Sequence, residues 1–174
     1  MRHTLIVCTE DQPSVLNRIA SVFRRRSCNI ESFTAGHAET AEVYRMTILV
    51  DTDKKTARRL VVSLSKLINV ISVEDITAKS VVYRELAVIK VTLSSTDTRS
   101  KVMELVEGFP ASVIDIASDA VIVEVTNTSD KIDDLLAALQ SFGLLEVVRT
   151  GQVGMVRGAK SVDVEPPDMS RLSV

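Results

Sequence analysis

The residues best suited to bind a ligand lie where a short apolar strand runs into a helix. Residues 10–16 read EDQPSVL, so a polar turn that contains a proline leads directly into an amphipathic segment. The first N–H groups of a helix have no acceptor within the helix, and the helix dipole also favours an anion at that end. The turn therefore predicts a seat for the carboxylate of a small metabolite.

The other residues that could take part in catalysis or metal binding do not form a recognisable catalytic pattern. The histidines, His3 and His37, stand far apart, and we predict that both are solvated imidazoles. The sequence contains no CxxC, HExxH or Walker-type motif, so we expect no metal site and no catalytic residues. The run Arg24–Arg26 is predicted to be a solvated helix end, and Gly151–Gly154 is predicted to mark turns.

Length and composition narrow the classes of protein further. The 174 residues suffice for one ordinary domain or two small ones, and aromatic residues make up only 3%. A net charge of −2 and the scarcity of aromatics argue against nucleic acid as a partner. No apolar run is long enough for a membrane span, and no secretion signal is recognisable, so we expect a cytoplasmic protein without a membrane partner.

Apolar periodicity changes between two and 3.6 in a regular order over residues 4–77. The resulting order, βαββαβ, is the split βαβ arrangement of ferredoxin-like folds. On the first helix, a stripe of Leu16, Ile19, Ala20 and Phe23 is predicted to face the core. The predicted strands are Thr4–Thr9, Asn29–Glu39, Glu42–Asp51 and Val70–Thr77, and the predicted helices are Pro13–Arg26 and Lys54–Ile68.

The same order recurs in the second half of the chain, which indicates two structural repeats. We therefore predict an α+β protein with two ferredoxin-like βαββαβ domains in tandem. The first domain is placed at 1–79, a linker at 80–84, the second domain at 85–158 and a disordered tail at 159–174. The predicted elements of the second repeat are strands Leu86–Leu93, Val113–Ala117, Ala120–Thr126 and Leu145–Arg149, with helices Thr98–Phe109 and Ser129–Phe142.

Each predicted sheet is covered by helices on one face only. The other face is expected to carry apolar residues too, because Ile30, Ile48, Val50, Val73 and their neighbours cannot all point towards the helices under a period of two. An uncovered apolar sheet face implies a partner. We therefore expect a homodimer.

A series of short segments carries a family resemblance. Residues 10–19 read EDQPSVLNRI, and Phe23, Arg25–Cys28 and Asn29–Ser32 follow in order. With the later segments, they resemble the small regulatory subunit of acetolactate synthase, also called acetohydroxyacid synthase, over residues 2–158. This family begins with an ACT domain, a ferredoxin-like module that typically binds amino acids. The later segments are Arg45–Ile48, Lys66–Val70, Arg84–Leu86, Ile89–Val91, Val113–Asp115, Arg149–Gly154 and Arg157–Gly158.

The resemblance implies a non-catalytic subunit in branched-chain amino acid biosynthesis. Such subunits bind and activate a large catalytic subunit, which carries thiamine diphosphate, Mg²⁺ and FAD, and they commonly confer feedback inhibition by valine, leucine or isoleucine. No cofactor of the chain's own is implied. A stand-alone ACT-type amino-acid sensor is the alternative, but it would need neither the second repeat nor the match at Arg149–Gly158. A small enzyme on this scaffold would need convergent catalytic groups that the sequence does not supply.

The resemblance also places an allosteric effector at the interface of two ACT domains. The effector would contact the first turn of one copy and the start of the second strand of its neighbour. The corresponding residues are Asp11, Ser14, Val15, Leu16, Asn29 and Ile30.

Three positions depart from the family pattern. Asp11 stands where the family usually has Asn, and its carboxylate can only accept hydrogen bonds and would repel an effector carboxylate. Ser14 and Ser27 both replace a usual Gly, and the Ser14 side chain fills space that a ligand could use. We therefore expect valine inhibition to be weak or absent.

Overall fold

The computed structural model describes residues 1–40 and 42–159, and the predicted tail lies, from residue 160 on, outside this range. The chain divides into two compact units, Met1–Val82 with the described residues from Gly154 on, and Tyr83–Val153. Each unit combines an antiparallel sheet with two helices, in the predicted order. The predicted α+β class with two ferredoxin-like βαββαβ domains in tandem is confirmed.

The first unit contains four strands in the order β2-β3-β1-β4. Helices α1 and α2 share one hydrophobic core with the sheet, and the largest side chains of this core are fully buried. Because β2 has one neighbour in the sheet, it stands at an edge beside β3. The elements are β1 (Arg2–Glu10), α1 (Val15–Arg25), β2 (Ile30–His37), β3 (Val43–Asp51), α2 (Lys54–Leu64) and β4 (Val70–Asp75).

The second sheet has the order β6-β7-β5-β8, and β9 also pairs with β5. Strand β5 begins at Val81, so the segment predicted as a linker is largely strand. Strand β9 was not predicted, because four residues beside two glycines give no periodicity to detect. The elements are β5 (Val81–Thr92), α3 (Thr96–Glu107), β6 (Ala111–Ile116), β7 (Ala120–Asn127), α4 (Ser129–Leu139), a 3-10 turn (Gln140–Phe142), β8 (Leu144–Arg149) and β9 (Val153–Val156).

The buried stripe of α1 differs from the predicted one. Val15 and Val22 are buried together with Ile19 and Phe23, whereas Leu16 is 48% exposed. Two overlapping apolar stripes exist on this helix, and the one that contains Val22 buries more surface than the one that contains alanine. The prediction that Leu16 faces the core is therefore wrong, which leaves its side chain at the surface.

The four apolar residues that were not expected all to point towards the helices do lie on the helix side. Ile48 and Val50 are part of the core that includes both helices, and Ile30 and Val73 pack against it. The register explains the result, because Ile30 pairs with Val50 and Val7 pairs with Val73. Cross-strand partners point to the same face of a sheet.

The opposite face of this sheet is covered in its centre. Ile6 and Cys8 are fully buried there, and their cross-strand partners Thr47 and Arg45 both contact Gly154. Arg45 Nη2 donates to Gly154 O at 2.7 Å, and Gly154 N lies 3.5 Å from Thr47 Oγ1. The bare sheet expected from the sequence is therefore not present at this position, and a homodimer needs another argument.

Helix α2 begins with a side-chain cap and ends earlier than predicted. Asp53 Oδ1 accepts the N–H groups of Lys55 and Thr56 at 2.8 and 3.0 Å. The helix ends at Leu64, and Ile68 is 88% exposed. The predicted end of this helix at Ile68 is therefore wrong.

Histidine 3 is not solvated as predicted. It is buried, and its Nδ1 lies 2.9 Å from Asp75 Oδ2. Burial acts to raise the pKa of Asp75, but hydrogen bonds from Thr77 and His3 outweigh this effect and lower the pKa. His37 is exposed, as predicted, and its ring lies 4.4 Å from that of Tyr44.

The connection from α1 to β2 uses a left-handed residue that is not glycine. Ser27 has φ of +50°, and its N–H donates to Arg24 O at 3.1 Å. Cys28 N–H donates to Phe23 O, also at 3.1 Å. These two bonds form a Schellman motif, in which glycine is the favoured left-handed residue.

We expect Ser27→Gly to raise the free energy of unfolding by about 1 kcal/mol, because glycine adopts this conformation without a steric cost. Ser65→Gly is the matched control, since Ser65 ends α2 at φ of −65° and glycine should not stabilise the chain there. Urea unfolding of the two variants measures the difference. A Ser27→Gly variant no more stable than the Ser65→Gly variant would contradict the expectation.

Candidate functional site

Backbone hydrogen bonds hold the turn between β1 and α1 in place. Asp11 N–H donates to Glu42 O at 2.9 Å, and Gln12 N–H donates to Glu10 O at 3.0 Å. Val15 N–H then donates to Gln12 O at 3.2 Å as the helix begins. The turn is thus anchored both to itself and to the residue before β3.

A chain of three polar side chains supports the same turn. Asn69 Nδ2 donates to Glu10 Oε2 at 2.8 Å, and Arg18 Nη1 donates to Asn69 Oδ1 at 3.0 Å. In addition, Glu10 N–H donates to Asn69 O at 2.9 Å. No role was predicted for these three residues, although all three lie in segments that carry the resemblance. They connect the end of β1, the first turns of α1 and the residue before β4.

The start of α1 has unused hydrogen-bond donors. The Ser14 side chain accepts none of the N–H groups of the helix start. Within the described residues, the N–H groups of Leu16 and Asn17 have no acceptor, while that of Val15 is satisfied. Thr9, close to the end of β1, has a fully buried hydroxyl without a partner in this part of the chain. The N–H groups of Leu16 and Asn17 could receive a carboxylate, because these two residues are exposed, whereas the Thr9 hydroxyl is closed to a ligand by its burial.

The four predicted site residues of the turn differ in what they offer. Asp11, Ser14 and Leu16 are exposed, whereas the Val15 side chain is buried in the core. Val15 can therefore offer a ligand only backbone atoms. Leu16 offers an exposed apolar side chain next to the free N–H groups, which suits the side chain of a branched-chain amino acid.

The other two predicted site residues, Asn29 and Ile30, lie at the far end of α1. The helix has 11 residues, so its two ends are separated by about 16 Å along the axis. Asn29 is exposed, and Ile30 begins the edge strand β2 and packs against the core. A single copy of the chain therefore does not bring the two halves of the predicted site together.

An open groove of about 430 Å³ runs along the outer surface of α1 from the same turn. It includes one predicted site residue, Ser14, and three arginines. Of these arginines, Arg18 lies near the helix start, where its positive charge adds to the attraction that the free N–H groups exert on an anion, whereas Arg24 and Arg25 lie in the last turn. The lining residues are Ser14, Asn17, Arg18, Ser21, Arg24, Arg25 and Leu67.

Residues 1–40 and 42–159 contain neither a cluster of metal-binding side chains nor a membrane-spanning helix. No group of three or more His, Cys, Asp and Glu side chains there is placed to hold a metal ion. No helix in the same ranges has the length and apolar character needed to cross a bilayer.

Two family models match the chain in the order of its two repeats. The model described as an AHAS small subunit-like ACT domain matches residues 5–72. The model described as the small subunit of acetolactate synthase matches residues 84–158. Together they account for both βαββαβ repeats.

Individual relatives match nearly the whole chain. The probable acetolactate synthase small subunit of Archaeoglobus fulgidus is 42% identical over 160 residues, which is 92% of this chain and 99% of that protein. The acetolactate synthase small subunit of Bacillus subtilis is 40% identical over 161 residues, 92% of this chain and 93% of that protein. The crystal structure of the small subunit from Thermotoga maritima superposes with a TM-score of 0.85 at 30% identity and covers 92% of this chain and 99% of that one.

Proposed function

The chain belongs to the family of acetolactate synthase small subunits, as its sequence predicted, and we propose that it binds the catalytic subunit of that enzyme and raises its activity. The observation that carries this proposal is the identity of about 40% to small subunits over nearly the whole chain, in an archaeal and a bacterial relative alike. Membership of this family implies a role as a regulatory subunit of acetolactate synthase. Activation of the catalytic subunit is the further step proposed.

In this proposal the chemistry belongs to the partner. The catalytic subunit carries thiamine diphosphate, Mg²⁺ and FAD and forms acetolactate in the cytoplasm, while this chain holds no cofactor and contributes no catalytic residue. Residues 1–79 act as the ACT domain for effector binding and dimerisation, and residues 85–158 act as the second regulatory domain. The side chains of this subunit therefore do not need to bind the partner's cofactors.

We further propose that the effector site is completed by a second copy. The turn at Asp11–Leu16 and the strand start at Asn29–Ile30 lie at opposite ends of α1, whose 11 residues span about 16 Å. One amino acid of branched-chain size cannot contact both ends. A homodimer in which the turn of one copy faces Asn29 of its partner would place both halves around the same ligand.

The effector would bind through three kinds of contact. Its carboxylate would accept the N–H groups of Leu16 and Asn17, its apolar side chain would lie against Leu16, and Asn29 of the partner subunit would exchange hydrogen bonds with its polar end. The Asp11 carboxylate opposes the first contact by repulsion, and the Ser14 side chain narrows the approach. Valine inhibition is therefore weak or absent in this protein.

Purification from the native host distinguishes a regulatory subunit from a stand-alone amino-acid sensor. A tagged chain expressed at its normal level should retain a thiamine-diphosphate enzyme of much larger subunit size, identified by mass spectrometry. The same purification with a tagged ACT protein of another family controls for non-specific capture. Recovery of a homodimer without the enzyme would favour the sensor and overturn the proposal.

A further inference from the structure

Positive charge is concentrated in the helix layer of the first unit. Residues 13–29 and 53–69 contain nine Lys and Arg residues but a single acidic residue, Asp53, whereas the whole chain carries a net charge of −2. The rest of the chain is therefore strongly acidic. All nine cationic residues are exposed, and we call them the basic helix face: Arg18, Arg24, Arg25, Arg26, Lys54, Lys55, Arg58, Arg59 and Lys66.

The positive charges of the basic helix face are not neutralised by carboxylates of the described residues. Within the described residues, none of the nine takes part in an ion pair, although Lys79, Lys90, Lys101 and Lys131 elsewhere each pair with a carboxylate. Arg18, Arg25 and Arg26 donate hydrogen bonds only to neutral acceptors, such as Ser63 Oγ at 2.9 Å from Arg26 Nη2. Like charges on one surface repel one another, and a partner of opposite charge would relieve that repulsion.

Exposed apolar side chains beside these cations indicate the kind of partner. Val62 of α2 is 54% exposed, and Ile68, which follows the end of that helix, is 88% exposed. Arginines around scattered apolar residues are typical of protein interfaces. A protein that binds the phosphates of a nucleic acid uses the cationic residues but has no use for the exposed apolar ones. Adsorption to a membrane would need a continuous apolar face, and the apolar faces of α1 and α2 are buried in the core.

We propose that the basic helix face docks onto an acidic protein surface of the catalytic subunit. This inference rests on the proposed function and adds to it the contact surface and the charge of the partner. Complementary charge accelerates the encounter of two proteins and makes their association sensitive to salt. The small effector keeps its place at the turn and at Asn29, and Lys55 and Arg58 of α2 lie outside both of these segments.

Charge reversal with a matched control tests the inference on the full chain. Lys55→Glu/Arg58→Glu places acidic residues in the first turns of α2, where the helix dipole tolerates them. Arg99→Glu/Lys131→Glu makes the same change in net charge in the first turns of α3 and α4. Thermal unfolding first establishes that both variants fold. Association of each with the catalytic subunit from the same organism is then followed by biolayer interferometry at about 50 and about 300 mM NaCl.

We expect the unmodified chain to associate about tenfold faster at low salt than at high salt. The Lys55→Glu/Arg58→Glu variant should associate about tenfold more slowly at low salt and lose most of this salt dependence, and the control should stay within about twofold of the unmodified chain. If the unmodified chain binds and the two variants behave alike, the inference is wrong and the proposed function stands. If the unmodified chain does not bind at all, the proposed function is wrong as well. Binding of each form to duplex DNA is measured in the same way. If the Lys55→Glu/Arg58→Glu variant loses binding to DNA but keeps its binding to the catalytic subunit, the inference is also wrong.

Discussion

Arg149→Met should lower the free energy of unfolding by about 3 kcal/mol. Arg149 makes two parallel hydrogen bonds to Glu85, from Nε to Oε1 and from Nη2 to Oε2, each of 2.8 Å. Glu85 is only 6% exposed, so removal of the arginine leaves a carboxylate that water cannot fully solvate. Ser129 Oγ still donates to Glu85 at 2.7 Å, which keeps the loss near the lower end of the range for buried pairs.

The effect of this substitution should depend on pH. The hydrogen bonds from Arg149 hold the pKa of Glu85 below its usual value, despite the opposing effect of burial. The pair therefore stabilises the fold fully above the unfolded pKa of about 4.3, and this contribution is lost as the pH falls through the lower folded value. The difference in stability between the unmodified chain and the variant should be full at neutral pH and should shrink as the pH falls, because burial without the arginine raises the pKa of Glu85 in the variant and lets it take up a proton first.

Urea unfolding at a series of pH values measures this difference. The control is Lys131→Met, which breaks the exposed pair of Lys131 with Asp134 and should change the stability by less than about 0.5 kcal/mol. An Arg149→Met variant as stable as the Lys131→Met variant at neutral pH would show that the buried pair contributes little. A difference that does not change between neutral pH and acid would refute the assigned role of Glu85.

Asp11→Asn combined with Ser14→Gly should increase the affinity of the chain for valine at least about tenfold. A second carboxylate about 5 Å from that of the effector costs about 1 to 3 kcal/mol, and a tenfold change in affinity corresponds to about 1.4 kcal/mol. The glycine removes a side chain at the approach to the Leu16 and Asn17 N–H groups. Because the Ser14 side chain makes no capping hydrogen bond, its loss should not weaken the helix.

Calorimetric titration with valine, leucine and isoleucine measures the affinities of the two forms. Asp97→Asn is the matched control, because it makes the same chemical change in the first turn of α3 in the second unit. We expect the control and the unmodified chain to bind valine only weakly. Micromolar valine binding by the unmodified chain would contradict the role assigned to Asp11 and Ser14.

The order and type of the predicted elements could be obtained from periodicity, and the failures have a common physical cause. Alternation defines which residues share a face, but it does not say which face meets the helices. Ile30, Ile48, Val50 and Val73 were for this reason not expected all to point towards the helices, although the strand register places all four on that side. On α1, two stripes offset by one residue were both compatible with the spacing, so Leu16 was wrongly placed in the core.

The candidate site was predictable in its chemistry more than in its supporting contacts. A strand, a polar turn and a helix start are visible in the sequence, and free N–H groups follow from helix geometry. The contacts of Asn69 with Glu10 and Arg18 join residues that are 59 and 51 positions apart, and no local pattern predicts them. The burial of His3 beside Asp75 has the same origin, since their separation of 72 residues gave no signal. That the site spans two copies remains a prediction.

The most direct test of the account is the rate of acetolactate formation by the catalytic subunit with increasing amounts of this chain. We predict a rise in rate that saturates at a fixed ratio of the two proteins, while the chain alone forms no acetolactate. Addition of valine at concentrations that inhibit valine-sensitive relatives should change the saturated rate little. A catalytic subunit whose rate stays the same at every ratio would contradict the central claim that this protein acts by binding and activating that enzyme.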